Sequence, residues 1–265
     1  MYSYLRMIDQ VLMYGEDRET RNGPTRSTFG YFFEHDLKHG FPLLTTKEMK
    51  IKSIVSEVAW ILSGSRDERY LAKLNSTKKT VWTANADSYQ GEFPGDVGFI
   101  YGPLLRNFHG VDQLQRIVSL LHHNPTDRRM LVTMWDPSEK RQCLPTCHFS
   151  WQVYVRDKTY LDLMWHQRSV DVGLGLPYDI AHYAFINHLL AQTVGLKPGK
   201  LFGTLGDTHI YDKHKTQLIE QLSRTPEPLP KLLLNKNASV FHFDVSDVVV
   251  QGYKSHPPLK MEMIV

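Results

Sequence analysis

Two stretches of this chain bring together residue types that could do chemistry. QCLPTCH places the thiol of Cys147 beside His148. HQRSVDVGLGLPYDIAHYAFIN, from His166 to Asn187, runs Gln167, Arg168, Ser169 and Asp171 through the small or rigid steps Gly173, Gly175 and Pro177 to Asp179, which opens an apolar helical pattern. A guanidinium, a hydroxyl and a turn in that order suit a small anionic ligand, and a thiol beside them suits a nucleophile over a binding floor. Neighbours on a strand face opposite ways, so Cys147 and His148 do not form an ion pair by adjacency, and a buried inert cysteine is the plain alternative. Arg21, Arg128, Arg129 and Arg168 with Ser169 offer enough donors for one dianionic phosphate, although a loop arginine is commonly just solvated. No Walker loop or GxGxxG run is present, which argues against nucleoside triphosphates and dinucleotides. The thirteen histidines are scattered and the two cysteines, Cys143 and Cys147, lack a second ligand pair, so no metal site is expected.

Those groups need elements to hold them. Residues 3–14 read as a helix, followed by a polar loop, EDRETRNGPTRSTFG, punctuated by Asn22, Gly23 and Pro24. Phe29 to Phe33 is strand-like. From Ile51 to Ser63, Ile54, Val58, Ile61 and Leu62 recur at helical spacing. Glu57 sits on or beside that stripe, and a carboxylate there must be paired, hydrogen-bonded or protonated. Residues 75–108 are dense in Gly, Pro, Asn and Asp and predict loops, whose Trp82, Tyr89, Phe93 and Tyr101 would either line a flat aromatic ligand or simply pack. An amphipathic helix follows over 111–122, then Arg128 and Arg129 enter a strand, where adjacent side chains point to opposite faces, so at most one can serve a given site within its own layer and an interfacial role stays open. Cys147 to Ser169 alternates as a hairpin around 156–158. A helix over 180–194, the strand-to-turn LFGTLGDTHIY, a helix over 213–222 and late strands at 240–243 and 248–253 complete the chain.

No linker interrupts the 265 residues, so one domain spanning 1–265 is expected. Net charge is only +3, with 31 basic and 28 acidic residues interspersed, which fits anionic small molecules and gives weak grounds for a nucleic-acid surface. Two cysteines exclude a disulfide scaffold and point to a reducing compartment. The N-terminal stretch has no signal-peptide pattern and no run reaches membrane-spanning length, so a soluble cytoplasmic protein is expected. Composition and spacing stop at a cytosolic enzyme for a phosphorylated, planar substrate.

At this point the motifs resemble those of the thymidylate synthases. LPTCH is similar to their nucleophile motif, usually LPPCH, and QRSVDVGLGLPYDIAHYA resembles a nucleotide-binding signature that usually carries Pro-Phe-Asn. RNGPTRSTFG, TTK, the Glu57 helix, VWTANA, the Arg128-Arg129 pair, GDTHIY and the MEMIV tail fall in family order over essentially the whole chain. The resemblance implies an α/β fold with a large bent mixed sheet, two such sheets packing back to back in a homodimer, and 5,10-methylenetetrahydrofolate as one-carbon donor. It makes Cys147 the thiolate that adds to C6 of the pyrimidine. Arg21, Arg168 and Ser169 would hold the 5′-phosphate, with Arg128 and Arg129 arriving from the other subunit. Gln167 joins the substrate set; His209 and Tyr211 would bind the deoxyribose 3′-hydroxyl. Glu57 would run the proton network around the base and Tyr101 help remove the C5 proton. Trp82, Asn85, Leu144, Asp171, Gly175 and the C-terminal Val265 would shape the folate site.

One departure bears on the substrate. Where the family carries Asn after Pro-Phe, this chain has Pro177-Tyr178-Asp179. An Asn amide answers the N3 donor and O4 acceptor of uracil, whereas cytosine presents an N3 acceptor and an N4 donor. A protonated Asp answers cytosine, and an ionised one could pair with N3-protonated cytosine. The phage deoxycytidylate hydroxymethylases within the same superfamily also carry Asp here. The expected substrate is therefore dCMP, giving 5-methyl-dCMP ahead of 5-hydroxymethyl-dCMP. CMP as substrate, an ordinary synthase acting on dUMP, and a non-catalytic nucleotide- or RNA-binding homologue remain as alternatives; the third has no use for the thiolate.

Overall fold

In the computed structural model, which describes residues 1–264, helix α1 (Tyr2–Tyr14) leads into an antiparallel hairpin of β1 (Glu16–Thr20) and β2 (Gly23–Asp36). Four helices follow: α2 (Ile51–Ser63), α3 (Glu68–Asn75), α4 (Thr83–Tyr89) and α5 (Tyr101–Arg106). Helix α6 (Gln113–His123) precedes the short β3 (Leu131–Thr133) and the hairpin of β4 (His148–Arg156) and β5 (Tyr160–Asp171). Helix α7 (Gly175–Thr193) then crosses to β6 (Lys197–Tyr211), and α8 (Lys215–Ser223), β7 (Lys231–Leu234) and β8 (Val248–Gln251) close the chain. The six-stranded sheet has the order β1-β2-β6-β5-β4-β3, antiparallel except for the central pair β5 and β6. A parallel pair needs a crossover, and α7 supplies it. Leu176, Ile180, Ala184, Phe185 and Leu189 on this helix are all buried, as befits a helix that is apolar all round and packs between the sheet and α2.

Several elements differ from the sequence expectation, each for a physical reason. The polar loop after α1 is a hairpin. Every residue of β1 is exposed, so this edge strand carries no apolar alternation to read, while Gly23 at φ +107° makes the turn. The helix containing Asp179 begins four residues earlier than Asp179, at Gly175, because Pro177 falls in the first turn, where no backbone donor has an intrahelical partner. Residues 75–108 are not all loop but include α4 and α5, short helices held by tertiary packing. Arg128 and Arg129 lie in the turn before β3 and not on the strand, so the alternation argument does not apply to them. Residues 240–243 form a turn with a single bridge, Ser239 to His242, and not a strand.

Gly203 on β6 permits a close approach that matters for the site. A Cβ there would lie 2.6 Å from the indole of Trp165, which stacks on Tyr183 at 5.4 Å with an interplanar angle of 7°. Gly203→Ala should therefore displace Trp165 and cost about 1–3 kcal/mol, read as a lower thermal or urea midpoint; an unchanged midpoint would show that the indole has room to yield. Among the described residues no helix is long and apolar enough to cross a membrane, and no group of three His, Cys, Asp or Glu could hold a metal ion.

Candidate active site

Cys147 stands directly before β4, whose first residue, His148, pairs with Gln167 of β5. Its loop is fixed on three sides. The Cys147 amide donates to the Tyr101 hydroxyl at 3.0 Å, and its carbonyl accepts from the Arg168 amide at 2.9 Å. The Arg168 guanidinium donates to the carbonyls of Thr146 (2.9 Å) and Pro145 (2.8 Å), with Nη2 3.9 Å from Cys147 Sγ. The thiol thus has a permanent cation beside it. Burial pushes its pKa up, Arg168 opposes that rise and the Asp179 carboxylate adds to it. The thiolate is the form that attacks, so anything that neutralises Asp179 or deepens contact with Arg168 favours the nucleophile.

Asp179 is held by a relay that begins in the core. Buried Trp165 donates its indole N–H to Gln167 Oε1 at 3.1 Å, which leaves the Gln167 amide to donate to Asp179 Oδ2 at 2.8 Å and to the Ser169 carbonyl at 3.1 Å. Burial lifts the Asp179 carboxyl to about 7, against the Gln167 hydrogen bond and helped by Glu57 and Asp171. His148 Nε2 lies 3.8 Å from Asp179 Oδ1, and its Nδ1 shares a 2.8 Å hydrogen bond with the Tyr183 hydroxyl. Burial, with His182 adding, drops His148 to about 3, so this imidazole is neutral and its proximity to Asp179 is no ion pair. Tyr101 stacks on the His148 ring at 4.1 Å. Tyr101 has φ +30°, an unfavoured conformation that a non-glycine residue holds only where the surroundings fix it.

Helix α2 presents Glu57 from the opposite side. Its Oε1 accepts from the Trp82 indole N–H at 2.8 Å and its Oε2 lies 3.6 Å from His182 Nε2 on α7. Trp82 also meets Tyr101 edge to face at 5.8 Å. The carboxylate expected from sequence to need a partner has one, from the irregular region after α3.

Beyond the end of β5, Asp171 caps the turn into α7 by accepting from the amides of Gly173 (2.9 Å) and Leu174 (3.2 Å). Lys47, only 4 % exposed, donates to the Gly173 carbonyl at 2.6 Å. Burial lowers its pKa to about 8, with Asp171 opposing. The C-terminal segment crosses the same turn: His214 Nε2 bonds the Glu262 carbonyl at 2.8 Å, and Gln217 donates to the Lys260 carbonyl at 3.2 Å. Met261 Sδ would stand 3.2 Å from a Cβ on Gly173. Val265 lies outside the described residues.

The remaining residues named from sequence divide into those that join this centre and those that stand apart. Parallel pairing sets His209 of β6 opposite Asp171, and Asp207 opposite Ser169. His209 Nδ1 lies 3.2 Å from Asp207 Oδ1, and Arg18 contacts the other carboxylate oxygen at 3.3 Å. Tyr211 is raised by burial and by Asp171, and feels both Cys147 and Arg21, so the tip of the β1-β2 hairpin faces this end of the sheet. Arg21 itself donates to Asn22 at 3.0 Å. Arg128 and Arg129 are exposed on the turn before β3 and make no hydrogen bond to the centre among the described residues. Arg129 grips Asp127 through Nε (3.0 Å) and Nη2 (2.6 Å), which holds that carboxyl down at about 2.

The family described as thymidylate synthase matches residues 2–265. The chain belongs to the thymidylate synthase family. It is 40 % identical over 282 residues to a protein of Escherichia phage T5 named "Probable thymidylate synthase", covering 99 % of each chain. To the "Thymidylate synthase" of Mesoplasma florum it is 37 % identical over 288 residues, covering both chains fully. Thymidylate synthases are C1-group transferases that methylate C5 of pyrimidine nucleotides with 5,10-methylenetetrahydrofolate as co-substrate. Half-buried Trp82, which meets Tyr101 edge to face, presents a flat surface beside the centre that suits a planar co-substrate; Asn85 lies on α4, Leu144 three residues before Cys147, and Gly175 opens α7.

Reading the sequence missed three members of this centre. His182 and Tyr183 lie three and four residues after Asp179, which on a helix means the same face, and that spacing was the available signal. Trp165 alternates with Gln167 on β5, also a readable pattern. The use of Tyr101 as an acceptor for the Cys147 amide and of Trp82 as a donor to Glu57 had no local signal at all.

Proposed function

We propose that this thymidylate synthase family member transfers a one-carbon unit to C5 of dCMP, with 5-methyl-dCMP as product. The observation that carries the substrate assignment is Asp179, oriented by Gln167 and lifted by burial to about 7. Near neutral pH such a carboxyl takes its protonated form readily. It then donates from Oδ1 to cytosine N3 while Oδ2, which has room for a second donor beside Gln167, accepts from N4–H. Uracil reverses both groups, and a buried mismatch costs on the order of 1–3 kcal/mol.

In this reading Arg21, Arg168 and Ser169 hold the 5′-phosphate, and Cys147 adds to C6 so that C5 becomes nucleophilic. His209 and Tyr211 bind the sugar 3′-hydroxyl. Glu57 and Tyr101 hold and move protons at the base, Tyr101 serving the C5 proton. Bound methylenetetrahydrofolate supplies the one-carbon unit and, for methylation, the hydride. Arg128 and Arg129 of the partner subunit complete the phosphate site in a cytoplasmic homodimer. The exposed aromatics Phe29 (88 %), Phe32 (57 %) and Tyr154 (65 %) on β2 and β4 support a sheet covered by a second copy. Methylation is preferred over hydroxymethylation because Thr146, where the family usually has Pro, is buried with its hydroxyl donating to the Met134 carbonyl at 2.8 Å. That hydroxyl is therefore not free to aim a water. Initial rates with dCMP, dUMP and CMP test the assignment: kcat/KM should be highest for dCMP, and a preference for dUMP would overturn it.

A further inference from the structure

The residue facing Glu57 from the helix that carries Asp179 is a histidine with no hydrogen bond. His182 is 4 % exposed, and its Nε2 is buried without a partner, 3.6 Å from Glu57 Oε2. A buried polar atom left unsatisfied is costly and calls for an explanation. The other Glu57 oxygen is already taken by Trp82 at 2.8 Å, so a small closing movement of α2 or α7 would leave the carboxylate held from both sides. Beside His182 is a small cavity lined by His148, Tyr183 and apolar side chains including Met134, Trp151 and Ile186.

We propose that His182 is a positioning residue: its Nε2–H engages Glu57 Oε2 when substrate closes the site, and fixes the carboxylate that handles protons at the pyrimidine ring. The assignment rests on the role given to Glu57 under the proposed function. Charged and titratable neighbours are consistent with it. Glu57 on α2 favours the protonated imidazole, burial opposes it, and the other groups near are neutral His148 on β4, Tyr101 on α5, and Tyr178, Asp179 and Tyr183 on α7 itself. Two contacts, one from Trp82 and one from His182, orient a carboxylate better than either alone, as outer-shell partners do in other catalytic sites.

A double-mutant cycle read by steady-state kinetics on whichever pyrimidine nucleotide turns over fastest tests this. His182→Leu should lower kcat by about tenfold to a hundredfold, leaving the nucleotide KM within roughly twofold, and His182→Gln, whose amide reaches Glu57, should recover most of the loss. In a Glu57→Gln background the His182→Leu change should add less than about twofold. Equal losses in both backgrounds, with Glu57→Gln itself impaired, would overturn the role of His182 while leaving that of Glu57 standing. Wild-type turnover by Glu57→Gln would instead remove Glu57 from the mechanism and His182 with it. If His182→Leu does not fold, His182→Asn takes its place: too short to reach Glu57, it should fall where Gln does not, and equal rates for the two amides would overturn the proposal.

Discussion

Asp179→Asn should move the nucleotide preference from dCMP toward dUMP. In the orientation that serves uracil, the asparagine oxygen accepts from N3–H and its NH2 donates to O4, and the Gln167 side chain beside it turns so that its oxygen accepts where its amide now donates. For dCMP the carboxyl donor to N3 is lost and an amine meets N4–H; for dUMP an amide matches O4 and N3–H. With each mismatch worth on the order of 1–3 kcal/mol, the ratio of the two kcat/KM values should swing by roughly 10²–10⁴-fold. An unchanged ratio would sink the pairing logic. The substitution also predicts a stability effect with a definite sign. Burial holds the Asp179 pKa at about 7 in the folded chain against the ordinary aspartate value of 3.8, so between those values the folded state binds the proton that the unfolded state has released. The contribution of this carboxyl to wild-type stability is therefore fullest below about pH 4 and falls as pH rises to near 7, by roughly 1.4 kcal/mol per unit and on the order of 4 kcal/mol in all. The asparagine variant lacks that slope. It should be the more stable protein at pH 8, with the gap narrowing toward pH 5, a trade between stability and the recognition of cytosine.

Cys147→Ala should lower turnover by at least about 10⁴-fold, because no other group among those around the site replaces a thiolate at C6. Cys143 does not substitute for it: burial lifts that thiol to about 11. Nucleotide affinity should change little, since Arg168 keeps its bonds to the Pro145 and Thr146 carbonyls and the phosphate donors remain. Release of tritium from C5-labelled dCMP, which follows C6 addition, should vanish in the same variant. Retained turnover or tritium release with alanine at 147 would remove the thiolate from the mechanism, whereas wild-type protein that bound nucleotide with neither turnover nor tritium release would revive a reading in which this chain binds nucleotides without reacting with them.

Much of this site was legible because its members lie close together in the chain. Gln167, Arg168, Ser169 and Asp171 share the end of one strand, the Gly173-Gly175-Pro177 turn follows, and Asp179 comes one helical turn later, so local spacing alone gathers them. His182 was equally local, yet a histidine among apolar helix residues reads as core until Glu57 is seen across from it. What could not be read is what tertiary contact decides. The edge strand β1 has no buried face, hence no periodicity. Helices α4 and α5 form inside a stretch dense in turn residues because packing of Ala86, Leu104 and Leu105 overrides local preference. Arg128 and Arg129 face solvent in the turn before β3, where no strand alternation fixes their direction.

The central claim is that cytosine is the base modified. It is tested most directly by the mass of the nucleotide formed when the protein is incubated with methylenetetrahydrofolate and an equal mixture of dCMP and dUMP, with dihydrofolate absorbance followed in parallel. The expected result is a dCMP product heavier by one methylene, dihydrofolate formed in step with it, and dUMP left largely unreacted. A product heavier by a hydroxymethyl group without dihydrofolate would keep the substrate and change the fate of the one-carbon unit. Conversion of dUMP with dCMP untouched would contradict the account and leave Asp179 as a residue whose pairing was misread.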